Sequence, residues 1–344
     1  MIGIAPELSG LAILYGNQHG TGIRTVQGAD GTTNFAHVGI ITAESCILVF
    51  VVSFICNICG ASNRVEKFAT EPASCACGSN VRIRALIHLL SLELFNQSLT
   101  LAEFPQLKAI RGLGMSDQEG YACLLTEKFD YTNTYYDREP RFDFTAAHPE
   151  AYGSYDFILS ADVLEHIAPP VERALEESCR LLKPHGILGI TVFCHPSDQL
   201  REHFPDLRQY RVVPLGDRMV LINRRADGTL EIRDDLIFHG GSGATLEMRE
   251  YGATAVRRQL LGAGFCDVSF LTENIPAIGV YFDHDVSQPL MARKAPFVMG
   301  KYAVSQLVDA WRDRPAETLR ARMKMARESR WLKLGRMLGL GPEL

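Results

Sequence analysis

Three observations predict an α/β protein built around a parallel sheet. The segment Tyr155–Val192 reads as strand, polar turn, helix and strand, the order that makes a crossover between parallel neighbours. Apolar runs of strand length alternate with helical periods on both sides of it. The chain has 344 residues, 47% apolar and 22% charged, which is the composition of a soluble globular protein with room for one large domain and an appendage, or two modest domains.

Residues 1–45 are rich in Gly and Thr, have little periodicity, and receive no fold from the sequence. Residues 46–95 form a cysteine module followed by a helix over Val81–Phe95, with Ile83, Leu86, Ile87, Leu90 and Leu94 at helical spacing. Leu107–Leu113 reads as a strand, Ser116–Phe129 as a helix and Tyr131–Tyr136 as a strand. The Tyr155–Leu159 strand follows, then a helix from Pro170 to Leu182, a Lys-Pro-His-Gly break and the Ile187–Val192 strand. A long insertion spans 195–251. Its second half holds two alternating runs flanking Ala226-Asp227-Gly228, a β-hairpin signal. Thr254–Ala263 is a helix ending at Gly264, and Val268–Thr272 and Ile278–Phe282 are the last two strands. The tail, 286–344, is basic and helical over Arg312–Leu338. Its apolar face packs back on the domain or on a second subunit as a homodimer contact, or else meets a membrane surface or polyanion.

A net charge of −5 gives no general electrostatic case for nucleic acid. The longest apolar run, Cys46–Cys56 broken by Ser53, is about half the ~20 residues that cross a bilayer. The N-terminus lacks a basic stretch ahead of an apolar core, and nine unevenly clustered cysteines do not make a secreted disulfide framework. The expected location is the cytoplasm.

The cysteines that stand out are Cys56-Asn-Ile-Cys59-Gly and Cys75-Ala-Cys77-Gly. Each pair with its following glycine resembles a zinc knuckle, and four thiolates suit tetrahedral Zn²⁺ in a structural role. Chance clustering or redox-active thiols is the alternative. Cys46, Cys123, Cys179, Cys194 and Cys266 read as ordinary core residues.

The Tyr155–Val192 block itself closely resembles the fourth- and fifth-strand region of class I S-adenosylmethionine (SAM) methyltransferases. Asp156, Leu164, Glu165, His166, Leu181, Leu182, Lys183, Pro184 and Gly186 match that family's pattern. The resemblance implies a Rossmann-like, doubly wound, seven-stranded methyltransferase sheet over residues 96–285, with the insertion as a substrate cap, the cysteine module as a small zinc-ribbon-like N-terminal addition, and a C-terminal helix. It implies SAM as cofactor. In the turn AIRGLGMSD, Gly112 and Gly114 fall on the middle of the family's glycine motif, while Ile110 takes the place of its acidic residue and Ser116 that of its third glycine. Asp117 is the candidate substitute for the acidic contact. Asp137 and Asp143 are candidates for the ribose and adenine, against a solvated surface role. Ser160, Ala161 and Asp162 would line the methionine and methyl end.

His166 has the ordinary pKa of a base for neutral pH, or else the Leu-Glu-His tripeptide only locks a loop by hydrogen bonding. The segment from Phe238 to Arg249 resembles the FHGGxGxTLExR stretch of a group of bacterial methyltransferases. There His239 is the leading candidate for a substrate-contacting base, against a structural turn histidine, accompanied by Glu247 and Arg249. The resulting expectation is methyl transfer to a small molecule or glycan, at a hydroxyl. An RNA methyltransferase and a non-catalytic adaptor with this fold are the other readings. The ending ARESRWLKLGRMLGLGP weakly resembles tails of bacterial proteins of surface-glycan assembly.

Overall fold

The computed structural model describes residues 15–17, 20–22, 52–65, 74–194, 198–239, 245–282 and 287–296. The chain divides into two units, one of Met1–Ser53 with Arg64–Lys67 and one of Phe54–Asn63 with Phe68–Leu344. In the first, Tyr15–Asn17 and Gly20–Gly22 pair as a short antiparallel hairpin. Val52–Ile55 (β1) and Ser62–Val65 (β2) form a two-stranded sheet around the first cysteine pair. The helical tail expected at Arg312–Leu338 lies outside the described residues, as do most of 1–45 and Cys46.

Val81–Phe95 (α1) starts where the Asn80 side chain accepts the Ile83 N–H at 3.0 Å and ends at Asn96 in the left-handed conformation, φ 53°. Most of its residues are buried, including Arg84 and His88.

The main sheet follows, built from Leu107–Met115 (β3), Phe129–Thr134 (β4), Tyr155–Ala161 (β5) and Leu182–Phe193 (β6). Between them lie helices Glu119–Lys128 (α2) and Glu172–Leu181 (α3). Gln209–Leu215 (β7), Arg218–Arg224 (β8) and Leu230–Arg233 (β9) make a separate antiparallel meander in the insertion. Ala253–Gly262 (α4), Asp267–Phe270 (β10) and Ser287–Arg293 (β11) return to the main sheet.

The main sheet has the order β10-β11-β6-β5-β3-β4. The strands β3 to β6 run parallel, and β11 is antiparallel to both its neighbours. It therefore has six strands among the described residues, where seven were expected. After β4 the chain reaches β5 through bends and one 3-10 turn, Pro149–Ala151, so no further helix and strand flank β4. A groove of about 610 Å³ lies along that edge, lined by Glu119, Thr126, Tyr131, Asn133, Tyr135 and Pro140.

Three sequence expectations change. The Lys-Pro-His-Gly stretch is no break but a bulge inside β6, where Tyr155 pairs Leu182 while Phe157 already pairs Ile187. The last strand is Ser287–Arg293, inside the sheet and past the expected domain end at 285. Ile278–Phe282 is not a strand: Pro276–Ile278 is a 3-10 turn and Gly279 is left-handed at φ +68°. That turn packs toward α1, with Val280 beside Val81 and Ala85, and the Gly279 carbonyl accepts from Arg84 Nη2 at 2.7 Å. Cys179 and Cys194 are buried as expected, whereas Cys123 and Cys266 are exposed.

The core lies between β5, β6 and helices α3 and α4, through Ile158, Leu175, Leu181, Leu188, Val256 and Leu260 among others. A smaller core of Phe204, Leu221, Leu246 and Met248 holds the insertion together. No helix among the described residues is long and apolar enough to cross a membrane.

Candidate functional site

Strand β3 sits between β4 and β5, so successive connections leave it in opposite directions and open a crevice at its carboxyl end. This is the switch point where open α/β sheets take ligands. Two side-chain-bearing residues there are left-handed: Ser116 at φ 56° just past β3, and Asp162 at φ 51° just past β5. Such residues cost of order 1–3 kcal/mol each and persist where the surroundings require the turn. Ser116 thus keeps the conformation of the glycine it replaces. Its N–H bonds the Thr134 carbonyl at 2.7 Å.

Gly112 and Gly114 play different parts. A Cβ on Gly112 would lie 2.3 Å from the Phe157 ring, which stacks on Tyr131 with centroids 5.8 Å apart. Gly112 therefore makes room for packing inside the sheet. A Cβ on Gly114 would meet the Tyr131 hydroxyl, Asp117 Oδ2 and Asn133 Oδ1, so this glycine closes over a polar cluster. Asp117 is enclosed there. Tyr131 donates to its Oδ2, Tyr121 also faces it, and its N–H bonds Asn133 Oδ1 at 2.9 Å. Burial pushes its carboxyl up to about 6 against the stabilising phenols.

On β5, Ser160 is fully buried and its hydroxyl has no partner among the described residues. Ala161 is half-buried beside it. Asp162 accepts from Thr191 Oγ1 at 2.8 Å and pairs with Arg82 of α1. Asp137 is exposed. Asp143 caps its own turn, accepting the Thr145 N–H at 2.9 Å and hydroxyl at 2.7 Å. At the opposite end of β5, Asp156 accepts from the Arg111 N–H at 2.8 Å and Lys183 Nζ at 2.6 Å. Two of the matched residues, Asp156 and Lys183, are therefore ties between strands.

Two residues beyond Asp162, Leu164–His166 forms a 3-10 turn onto which the insertion is clamped. Arg249 Nη1 donates to the Leu164 carbonyl at 2.6 Å, the Met248 N–H to the Glu165 carbonyl at 2.7 Å, and His166 Nδ1 bonds the Leu246 carbonyl at 2.9 Å. Arg249 is buried and also bonds Glu202 Oε1 at 2.7 Å. The pairing His239↔Thr245 then sets His239 against the same turn. The two imidazoles meet edge to face, with centroids 4.8 Å apart.

Glu247, buried, holds His239 Nε2 at 2.7 Å on one oxygen and His203 Nε2 at 2.8 Å on the other. A carbonyl and a carboxylate only accept, so His166 carries its proton on Nδ1 and His239 on Nε2. This leaves Nε2 of His166 and Nδ1 of His239 as the ring nitrogens not engaged by those bonds. Burial, opposed by the Leu246 bond, holds the His166 pKa below its ordinary value, so the ring is neutral at pH 7. His203 and Arg82 were not found from sequence. Each stands far along the chain from the residue it serves, with no local motif to mark it.

Cys56, Cys59, Cys75 and Cys77 place one sulfur each within 4.8 Å of all the others. Cys56–Cys77 and Cys59–Cys75 are 3.7 and 3.6 Å apart. Gly60 at φ +79° and Gly78 at φ +84° turn each knuckle, donating to the Cys56 and Cys75 carbonyls at 2.8 and 2.9 Å.

Residues 130–190 match the family model described as methyltransferase domain. The chain has the class I SAM-dependent methyltransferase fold. Similar solved structures include the citrinin polyketide synthase CMeT domain, 14% identical over 65% of this chain and 54% of its own, with a TM-score of 0.38. This chain thus spans about half the length of that domain. An S-adenosylmethionine dependent methyltransferase from Mesorhizobium loti is 14% identical over 56% of this chain and 94% of its own, TM-score 0.32. The Burkholderia thailandensis 1,6-didemethyltoxoflavin-N1-methyltransferase is 15% identical over 54% and 71%, TM-score 0.31. Comparison with curated protein sequences finds no match. The fold is carried by the strand order and the family match, not by these likenesses.

In this methyltransferase fold the residues at the switch point fit SAM. Ser116 and Asp162 hold the two strand ends in the left-handed turns, and Ser160 offers a buried hydroxyl without a partner among the described residues. The four sulfurs likewise fit zinc: a tetrahedron with Zn–S of about 2.3 Å has edges of about 3.8 Å.

Proposed function

We propose that this protein is a SAM-dependent methyltransferase that methylates a hydroxyl of a small-molecule or glycan acceptor beneath its cap, with Zn²⁺ held structurally by Cys56, Cys59, Cys75 and Cys77. The observation that carries the reading is the His166–His239 pair. Two imidazoles, one fixed on the Leu246 carbonyl and the other on Glu247, are held just past the switch point by a cap that bonds every residue of the Leu-Glu-His turn. The cap and the mildly acidic chain favour a small acceptor over RNA.

SAM supplies an electrophilic methyl group when bound. Gly114, Ser116, Ser160, Ala161 and Asp162 position it, with Arg82 fixing Asp162 from α1. Asp117 belongs behind this surface, shaping the turn, and Gly112 belongs to the packing beneath it. Asp143 serves its own turn, and Asp137 has only its place past β4 in its favour. The acceptor oxygen forms its bond to the methyl carbon as the carbon–sulfur bond breaks, and its proton is drawn off at the histidine pair. Alignment and exclusion of water under the cap supply the rate. No ligand position stays open on four cysteines, which makes the zinc structural.

Calorimetric titration with SAM, followed by a screen of labelled-methyl acceptors, tests the reading. Micromolar SAM binding and transfer to a hydroxylated acceptor are expected. A folded chain that ignores millimolar SAM is a non-catalytic adaptor instead.

A further inference from the structure

We infer that Glu165, His166 and His239 together hold a divalent first-row transition-metal ion, separate from the cysteine site. One donor atom from each lies within 4.8 Å of the other two. The ring nitrogens left with lone pairs are Nε2 of His166 and Nδ1 of His239, because the other nitrogen of each ring is fixed on Leu246 O and Glu247 Oε2. A ring whose far N–H is held by a carbonyl or carboxylate is the arrangement of a metal-ligating histidine, whose tautomer and aim are set from behind.

Glu247 is itself set by His203, and the Glu165 backbone by Met248, so the supports of all three donors come from consecutive cap residues, Leu246, Glu247 and Met248. One carboxylate and two imidazoles gathered this closely form a donor set that a cation can take. Two imidazoles and one carboxylate suit zinc, cobalt, iron or manganese and leave coordination positions open. His203, Glu247 and Glu250 also approach one another, but His203 Nε2 and Glu247 Oε1 are already bonded to each other at 2.8 Å, which makes them the outer support of the site.

The inference rests on the methyl-transfer reading only in what the ion does there. The acceptor hydroxyl takes an open position, loses its proton to water more readily on the metal, and attacks the methyl group as an alkoxide. With the ion bound the histidines act by ligation; in the metal-free chain the proton is drawn off at the pair directly.

The test uses the full chain, stripped with a chelator and reloaded with Zn²⁺ for metal analysis and with Co²⁺ for absorption. About two equivalents are expected, one giving the intense near-ultraviolet thiolate bands of a Cys₄ site and one without them. His239→Ala, at a half-exposed side chain, should lose only the second equivalent. Cys59→Ser should lose only the first. Glu247→Gln should keep both but weaken the second about 10–100-fold. If wild type and His239→Ala bind equal amounts and show the same cobalt spectrum, the histidines hold no ion and the inference fails. SAM calorimetry on the same samples keeps the two readings apart: retained SAM binding with no second metal removes the ion alone.

Discussion

The conformations of single residues locate the crevice more sharply than their identities do. Ser116 occupies a glycine position and still adopts a glycine conformation, so a motif that reads as degraded is intact in its backbone. By contrast Gly112, which matches the motif letter for letter, spends its missing side chain on Phe157. Gly112→Ala should destabilise the fold by about 1–3 kcal/mol in urea unfolding, as overpacking does, while Ser116→Gly should be neutral or stabilising.

Asp117 gives a pH test. Its folded pKa, about 6, stands above the ordinary 3.8, so the folded state binds its proton more tightly. Stability therefore falls as pH rises from about 4 to about 6, by up to about 3 kcal/mol at 1.36 kcal/mol per pKa unit. Asp117→Asn still accepts from Tyr131 and should lack that slope. Parallel urea stability profiles for variant and wild type across the window would exclude the buried carboxyl as its cause.

Whole elements were legible wherever the pattern was regular. The order and type of β5, α3 and β6 were legible, because a continuous apolar strand and a helix with buried Ala174, Leu175, Ser178 and Leu181 leave little choice, although β6 begins five residues before the expected Ile187. Strand β11 was not. Its Pro289 argues against a central strand, yet it pairs with β6 on one side while its carbonyl accepts the Leu271 N–H on the other. The Ile278–Phe282 run looked more like a strand, but Gly279 and its contact with Phe54 make it a bracket beside the cysteine module.

The Leu-Glu-His turn was read as either a base or a loop lock; its bonds to the cap are those of a lock, and the base is our proposal. The lock is testable at Arg249, whose buried guanidinium joins Leu164 and Glu202. Arg249→Met should cost about 2–4 kcal/mol and lower turnover sharply, with SAM affinity within about threefold of wild type. A matching loss of SAM affinity would mean that the cap and the crevice are one structure.

For the molecule as a whole, the cysteine module is tied to α1 and its surroundings through Arg84. That guanidinium lies over Phe54 and donates to Ser74, Ser79 and the Gly279 carbonyl. Losing the metal should therefore unsettle more than the knuckles. Cys59→Ser, or stripping with a strong chelator, should lower global stability by more than about 3 kcal/mol, as metal loss does in small modules. A chain equally stable with and without metal would leave the four sulfurs without a structural task.

Sequence could announce that module because its ligands are close neighbours along the chain. It could not announce the His166–Glu247–His203 cluster, whose members come from a turn of the sheet and from separate parts of the cap. That difference in origin bears on heat. The cap rests on a four-residue core of its own, Phe204, Leu221, Leu246 and Met248, against the far larger one behind the sheet. Segments with few apolar contacts open before the rest. On warming, the cap melts away from the sheet and carries His239 and Glu247 with it, so the chain falls silent while its circular dichroism is still native.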